Sequence, residues 1–257
     1  MSGELVRMEN IFKTYGSIHA LEDVSMTVGE REILGLVGDN GAGKSTLCKI
    51  LSGVVQADSG NMYFRDKKMH VRNTRDAINL GIETIYQDSA LVADLSISRN
   101  LFLGREPIIK GSGFLEILDK GYMRRKSEEL LKQVGLQRKL NPDAVVAGLS
   151  GGERQSIAIA RAMFFKSDLI ILDEPTNNLG IEEIKQVLRF IHGAKEEGFS
   201  SIFITHNIHH VFQVADRVVV LRRGKLVGDV KKSETTISEV EELITGTMDI
   251  KFTNSGD

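Results

Sequence analysis

The sequence predicts an α/β fold: a mostly parallel sheet with an antiparallel β subdomain near the N-terminus and a helical insertion. Two observations predict it. Short apolar runs recur along the chain, and most are followed by segments whose apolar residues repeat at helical spacing. Alternating strands and helices form parallel sheets that helices cover, and such sheets bind ligands at the carboxyl ends of their strands. Candidate site residues should therefore follow the strands.

The first part of the chain carries strand signals. Residues 5–37 are predicted to form short strands joined by turns, because residues 24–28 alternate and residues 33–37 form a continuous apolar run. A glycine-rich turn follows that run. The other elements predicted here are a helix at 44–51, a turn at 58–60 before a strand at 61–64, and a buried strand at 82–86.

The stretch from about residue 88 to residue 150 has a different pattern. It carries loop signals around 104–113 and then a helical pattern at 123–134, with Leu130, Leu131 and Val134 on one face. We interpret this stretch as a helical insertion, and we place the subdomain that contains it at about 88–155.

The remaining elements complete the alternating order. They are a helix at 153–165, a strand at 169–172, an amphipathic helix marked by Ile184, Val187, Leu188 and Ile191, a strand at 201–205, and a hairpin of 218–221 with 226–230. We predict one domain over 1–250, whose core takes about 1–87 and 156–245. The tail at 246–257 is expected to be weakly ordered.

Bulk composition narrows the class of protein. The net charge is −2 and the pI is about 6.3, without the basic excess of a nucleic-acid binder, so no nucleic-acid partner is expected. The only cysteine, Cys48, excludes an intrachain disulfide and has the helical spacing of a buried position. No run approaches the roughly 20 apolar residues of a membrane span, and Met1–Glu4 lacks the pattern of a signal peptide. We expect a cytoplasmic protein that reaches the membrane through a partner.

The glycine-rich turn carries the pattern G-x-x-x-x-G-K-[ST] in full, between a predicted strand and a predicted helix. Glycines let backbone N–H groups turn around a phosphate, and the helix N-terminus adds partial positive charge. Lys44 is placed to reach β- and γ-phosphates, and Ser45 to bind Mg²⁺. The predicted phosphate-binding residues are Gly38, Asn40, Gly41, Ala42, Gly43, Lys44, Ser45 and Thr46.

Two carboxylates end the apolar strand at 169–172. Asp173 lies where such folds hold Mg²⁺, directly or through water. Because side chains alternate along a strand, Glu174 should point to the other side, where it could act as a general base on a water in line with the γ-phosphate. A solvated strand end is the plainer interpretation, and the phosphate loop argues against it. The sequence thus predicts ATP hydrolysis rather than binding alone.

Residues 149–155 read L-S-G-G-E-R-Q, a second glycine turn that opens a helix and could bind a second phosphate group. One ATP does not need two such sites within one domain, which suggests that this segment completes a site on another copy. The chain resembles the ATP-binding subunits of ABC transporters, whose signature this heptapeptide is, over about residues 6–228. The resemblance implies a P-loop NTPase of the ABC type, working as a head-to-tail dimer around two ATP.

The resemblance also assigns residues. It implies that Ser150, Gly151 and Gly152 serve the site of the other copy, that Tyr15 stacks on adenine, that Gln87 senses Mg²⁺, and that His206 contacts the γ-phosphate. Catalysis would then use Glu174, His206 and Lys44, and Mg²⁺ would be bound by Ser45, Gln87 and Asp173. The pair His206 and His210 also has the spacing of a zinc site, but no third ligand is evident.

The family commonly continues from the acidic strand with S-A-L-D, whereas this chain has Asn177-Asn178-Leu179-Gly180. The missing aspartate leaves open how the two sites communicate, and Asn177 or Asn178 is a candidate to contribute instead.

Segments 95–106, 206–217 and 221–225 resemble monosaccharide importers of the ribose, xylose and fructose type. This implies a sugar importer whose ATPase subunit binds the inner face of the membrane. Its expected partners are a second ATPase subunit, an integral-membrane permease and, indirectly, a sugar-binding protein. The alternative is a soluble ABC-type ATPase that acts on ribosomes or nucleic acid.

Overall fold

A computed structural model describes residues 3–86, 91–110, 116–133, 140–165 and 167–252. The strands are β1 (Glu4–Tyr15), β2 (Ile18–Gly29), β3 (Ile33–Val37), β4 (Ser59–Phe64), β5 (Lys67–Met69), β6 (Ile82–Ile85), β7 (Ile108–Lys110), β8 (Glu116–Leu118), β9 (Leu169–Asp173), β10 (Ser200–Ile204), β11 (Arg217–Arg222), β12 (Lys225–Lys231) and β13 (Lys251–Phe252). The α-helices are α1 (Lys44–Leu51), α2 (Thr74–Asn79), α3 (Ile97–Leu101), α4 (Lys120–Gln133), α5 (Gly151–Phe164), α6 (Ile181–Glu196), α7 (Ile208–Val214) and α8 (Ile237–Thr245).

The chain divides into two compact units. The first takes Met1–Thr84, Ser167–Pro175 and Ile191–Asp257, and the second takes Ile85–Lys166 and Thr176–Phe190. The second unit therefore extends beyond the predicted helical subdomain at 88–155. The predicted boundary at 155 falls inside α5, whose continuous apolar face packs with α3 and α4 in the second unit.

The first unit contains an antiparallel sheet in the order β2-β1-β4-β5. Its two leading strands are twelve residues each, so the prediction of short strands was wrong here. The strands continue because β-bulges absorb the polar residues that read as turns. Asn10 and Asp23 both have positive φ, and the Asn10 side-chain amide donates to the Asp23 carboxylate at 2.7 Å.

Over the described residues, the second sheet of this unit has seven strands in the order β13-β12-β11-β3-β10-β9-β6. β3 runs parallel to β10 and β11, and β10 runs parallel to β9, which confirms the mostly parallel core. β3 and β10 are buried along their whole length, as expected of strands covered on both faces. Their residues join a core that includes α1 and the first sheet.

Several element boundaries differ from the sequence prediction, among them the start of β4 and the order of the C-terminal tail. β4 begins at Ser59, so it takes two residues of the predicted turn at 58–60. The tail was expected to be weakly ordered from Gly246, but Lys251 and Phe252 form β13 on the edge of β12. The chain reaches that edge because Gly246, with a φ of 87°, ends α8 in the left-handed conformation that turns the backbone back.

In its described residues, the second unit is mainly helical and includes the short antiparallel pair of β7 and β8. Apolar side chains of α3, α4 and α5 form its core, in which Phe102 lies edge-on to Phe164 at a centroid distance of 5.0 Å. Leu130 and Leu131 of α4 are buried as predicted, while Val134 lies outside the described residues. β7 lies in the region 104–113 that was interpreted as a loop, and it pairs with β8, which follows that region. Strands of three residues are too short to show an alternating pattern.

The described residues show the burial of Cys48 and the length and composition of the helices. Cys48 is buried in α1, and burial raises the pKa of its thiol well above the ordinary value, so the expectation of a buried position is confirmed. Among the described residues, no helix combines the length and the apolar composition needed to cross a bilayer.

Candidate functional site

Three buried strands of the first unit end at the same edge of the parallel sheet. Leu36 of β3 lies opposite Ile204 of β10, and Ile204 lies opposite Asp173 of β9. The phosphate loop follows β3, Glu174 follows β9, and His206 follows β10. The structure therefore brings the predicted loop, acidic pair and histidine to one edge, where parallel sheets bind their ligands.

The phosphate loop depends on glycine at two positions. Gly38 has a φ of 151°, and a Cβ there would lie 2.2 Å from the Leu221 carbonyl oxygen. Gly43 has a φ of 106°, and a Cβ there would lie 2.6 Å from the Ala20 carbonyl oxygen. Both positions combine a backbone conformation that disfavours side chains with a neighbour that leaves no room for one. The loop is thus shaped by close backbone packing.

The loop leads into α1, whose N-terminus has no side-chain cap. The first N–H groups of a helix have no partner within the helix, so they are available to an anion. Inside the loop, Ala42 N–H donates to the Asp39 carbonyl at 3.1 Å, and Asn40 N–H donates to the Asp39 carboxylate at 2.7 Å. The fold of the loop fits a bound phosphate group.

Lys44 is held over this loop. Its Nζ donates to the carbonyl oxygens of Gly38 at 2.8 Å and Asp39 at 3.0 Å, and the residue is buried. Burial lowers the pKa of the Lys44 ammonium, while the carboxylates of Glu174, Asp173 and Asp39, in that order, oppose the shift. The ammonium has only carbonyl partners among the hydrogen bonds described, so a phosphate oxygen would be a stronger one.

Ser45 and Asp173 meet beside the loop. The pKa of Asp173 is raised, mainly by burial and then by the neighbouring charge of Glu174, while the nearby Ser45 hydroxyl opposes the shift. A hydroxyl and a carboxylate are oxygen ligands of the kind that Mg²⁺ takes beside nucleotide phosphates. The donor set therefore fits Mg²⁺, and a dication there would offset the repulsion between the two acids.

The Glu174 carboxylate is hydrogen-bonded to His206. One Glu174 carboxylate oxygen accepts the His206 backbone N–H at 3.1 Å, and the two oxygens lie 3.1 and 3.2 Å from His206 Nδ1. The predicted reason for its direction was wrong, because β9 ends at Asp173 and Glu174 has a φ of 51°. The turn sets its direction, and strand alternation does not apply beyond the last strand residue.

Three further residues considered in the sequence are Tyr15, Gln87 and His210. The Tyr15 ring is exposed at the end of β1, and the Lys13 ammonium lies 5.4 Å from its centroid. Gln87 lies outside the described residues. The Nε2 atom of His210 lies 3.3 Å from the Asn207 side-chain amide. No group of three or more His, Cys, Asp or Glu in the described ranges is arranged to hold a metal ion.

The L-S-G-G-E-R-Q segment lies in the second unit. Ser150 precedes α5, its Oγ accepts the Glu153 N–H at 3.2 Å, and the Glu153 carboxylate accepts the Ser150 N–H at 2.8 Å. This reciprocal pair caps the helix and fixes the turn before it. The predicted anion-binding segment is therefore a rigid helix start.

One residue at this helix start was not identified from the sequence. Glu183 of α6 accepts the Gly152 N–H at 3.1 Å with Oε1 and the Gly180 N–H at 2.9 Å with Oε2. Its spacing of three residues after Gly180 is that of a glutamate that caps its own helix, which was the available signal. The contact with Gly152 has no signal in the local sequence.

The sequence profile of the ABC transporter family matches residues 21–177. The chain belongs to the ABC transporter family. Among its relatives, the xylose/arabinose import ATP-binding protein XylG of Sulfolobus acidocaldarius is 42% identical, with 94% of each chain covered. The ribose import ATP-binding protein RbsA of Clostridium tetani is 41% identical over 94% of this chain and 47% of its own length. The fructose import ATP-binding protein FrcA of Rhizobium meliloti is 38% identical, with 94% of each covered.

Solved structures agree with the fold. The ABC transporter cassette MJ1267 in its ADP conformation matches with a TM-score of 0.78 at 23% identity, covering 94% of this chain and 95% of that one. The MJ0796 cassette, a dimer bound to ADP and Pi, matches with a TM-score of 0.75 at 24% identity, covering 89% and 99%. The predicted family and fold class are confirmed, and this ABC transporter subunit is an ATP-binding, ATP-hydrolysing protein.

Proposed function

We propose that this ABC transporter subunit drives the import of a monosaccharide by closing head to tail with a second copy around two ATP molecules. The observation that carries the substrate class is the identity of 42% across nearly the whole of both chains with a xylose/arabinose import protein. The ribose and fructose import relatives support the same class.

In the first unit, bound MgATP would supply the γ-phosphorus that water attacks and the ADP that leaves. The loop amides and Lys44 would bind the phosphates, and Ser45 and Asp173 would hold Mg²⁺, with Gln87 as a further ligand. Lys44 exchanges its two carbonyl partners for phosphate oxygens, which are charged and therefore stronger acceptors. Tyr15, exposed at the end of its strand, stacks on adenine.

Glu174 is the proposed general base. It takes a proton from the attacking water, and its grip on the His206 backbone and ring orients the carboxylate beside the phosphate loop. The side chain of His206 is 57% exposed, so its outer edge is free to contact the γ-phosphate. His206 would thus contact both the γ-phosphate and the Glu174 carboxylate, and it would link the presence of that phosphate to the orientation of the base.

The second unit supplies the other half of the proposed site. Ser150 Oγ and the Gly152 N–H lie at the N-terminus of α5, where the helix dipole favours negative charge. In a head-to-tail dimer they would bind the γ-phosphate of the nucleotide held by the other copy. Hydrolysis removes that bridge and lets the dimer open.

A permease in the membrane would convert this opening and closing into transport. We place the chain on the inner face of the membrane, bound to this permease. Sugar selection would belong to the permease and to an external sugar-binding protein.

The test is to tag the protein in its native cell, solubilise the membranes gently and identify what co-purifies. We expect a polytopic permease, with or without a sugar-binding protein. Recovery with ribosomes or nucleic acid, and never with membrane proteins, would favour the alternative of a soluble ATPase. A Lys44→Ala chain is the matched control, because it should keep the permease while losing nucleotide binding.

A further inference from the structure

The strongest unexplained feature of the second unit is the carboxylate of Glu183. Its two oxygens bind the N–H groups of Gly152 and Gly180, and Ser150 Oγ lies 3.4 Å from the oxygen that Gly152 bonds. Gly152 and Gly180 lie at the starts of α5 and α6, where helix dipoles leave partial positive charge. One carboxylate thus serves as the anion for two helix N-termini.

The same donors are the ones proposed to bind phosphate. In the dimer, Ser150 Oγ and the Gly152 N–H would hold the γ-phosphate of the other copy's ATP. In this structure both face Glu183 Oε1 instead. The fit leaves no spare room, because a Cβ on Gly152 would lie 2.3 Å from that oxygen. A carboxylate and a phosphate are both anions, so they cannot share these donors.

We propose that Glu183 is the resting occupant of the signature site and must withdraw before the second copy's ATP can bind there. This inference rests on the proposed head-to-tail dimer. The carboxylate would raise the ATP concentration needed for closure and suppress hydrolysis by subunits that meet without their transporter. When Oε1 leaves Gly152, Oε2 can stay on Gly180, so α6 keeps its cap while α5 is opened to phosphate.

Gly180 stands at the position where the family commonly has an aspartate, and its N–H is bonded by Glu183. Gly180 offers no side chain, and its N–H is satisfied by the glutamate three residues later. A Cβ at Gly180 would meet Glu183 Oε2 only at 3.7 Å, an ordinary contact, so the backbone there does not demand glycine. The absence of an aspartate leaves Glu183 as the carboxylate of this segment that reaches the start of α5.

Glu183→Gln tests the inference. Glutamine keeps the length but has one acceptor oxygen and no charge, so it cannot hold both N–H groups. In a Glu174→Gln background that slows hydrolysis, we expect Glu183→Gln to lower the ATP concentration at half-maximal dimer formation about threefold to tenfold. Dimer formation is measured by light scattering of the full chain over a range of ATP concentrations. Binding of ADP, which lacks the γ-phosphate, should be unchanged.

Glu182→Gln is the matched control. It removes the same charge from the same helix turn, but Glu182 is exposed and paired with Lys185 at 2.8 Å. It should leave the ATP requirement for closure unchanged. If thermal unfolding shows that Glu183→Gln is poorly folded, Glu183→Asp replaces it, because the shorter side chain can stay near Gly180 but cannot reach Gly152 as well. It too should lower the ATP requirement.

The outcomes separate the two proposals. If the Glu174→Gln parent stays monomeric at every ATP concentration, the proposed dimer fails and the inference fails with it. If the parent dimerises but Glu183→Gln needs as much ATP as Glu182→Gln, or more, the dimer stands and the role of Glu183 is overturned.

Discussion

At the scale of single residues, the contact that matters most for the proposed chemistry is the hydrogen bonding between His206 and the Glu174 carboxylate. The carboxylate is mostly buried, with 13% of its side chain exposed, and both a backbone N–H and an imidazole nitrogen hold it. A base that is fixed in direction loses less entropy when it meets the attacking water. These contacts support the proposal that Glu174 transfers the proton and that His206 orients this carboxylate.

Glu174→Gln should abolish most turnover and preserve ATP binding. Glutamine keeps the size and can still accept the His206 N–H, but it cannot take a proton, so we expect a loss of about 10²- to 10⁴-fold in kcat. Phosphate release measures turnover, and a filter assay with labelled ATP measures binding. Unchanged hydrolysis would refute the assignment of the base, and the exposed Glu182→Gln serves as a control for the loss of charge.

At the scale of elements, α6 contains a glycine in its interior that lowers the stability of the helix and that the site does not require. Gly193 lies within this helix, and a Cβ there would find no neighbour within 4 Å. Gly198 follows the helix with a φ of 99°, a conformation that disfavours side chains. The two glycines of one segment are thus expected to respond oppositely to alanine.

Gly193→Ala should stabilise the protein by about 0.5–1 kcal/mol, because alanine is the better helix former and the space is open. The melting temperature should rise by about 1–4 °C. Gly198→Ala should lower it, since the left-handed backbone costs roughly 1–2 kcal/mol for an L side chain. Circular dichroism during heating measures both. A lower melting temperature for Gly193→Ala would mean that the helix interior is less open than its geometry indicates.

At the scale of the whole molecule, the proposed dimer divides each site between two copies. The phosphate loop lies in the first unit and the signature segment in the second, so a defect in one copy can be complemented by the other. Two inactive variants mixed together can then rebuild one complete site, which no single-chain site could do.

The variants are Lys44→Ala, which should lose nucleotide binding and turnover, and Ser150→Asp. Aspartate caps a helix as well as serine does, so α5 should persist, while the added charge repels the γ-phosphate. Each alone should be nearly inactive, and an equimolar mixture should recover roughly a quarter of the parent ATPase rate, since random pairing completes one site in four. A mixture of Lys44→Ala with the double variant, which carries both Lys44→Ala and Ser150→Asp, contains no intact phosphate loop and should stay inactive. Equal rates in both mixtures would contradict the divided site.

Local patterns were enough to predict several parts of the fold and the candidate site. The helix at Lys44–Leu51 has the predicted bounds, and the hairpin around Arg223-Gly224 forms because both residues adopt the positive φ that its turn requires. The phosphate loop, the acidic pair and the histidine follow buried strands, whose continuous apolar runs are recognisable in the sequence. Parallel pairing then places the ends of these strands together.

Tertiary structure alone decided the contacts between residues that are distant along the chain. Nothing near Glu183 in the sequence indicates Gly152, thirty-one residues away, and nothing near Glu174 indicates the ring of His206. The edge strand β13 likewise depends on where α8 ends. The sequence by itself determined where the phosphate loop and the acidic pair lie, because loop, strand and helix signals are local, while the family resemblance added His206. Their partners were decided by folding, because hydrogen bonds between distant segments form only once packing brings those segments together.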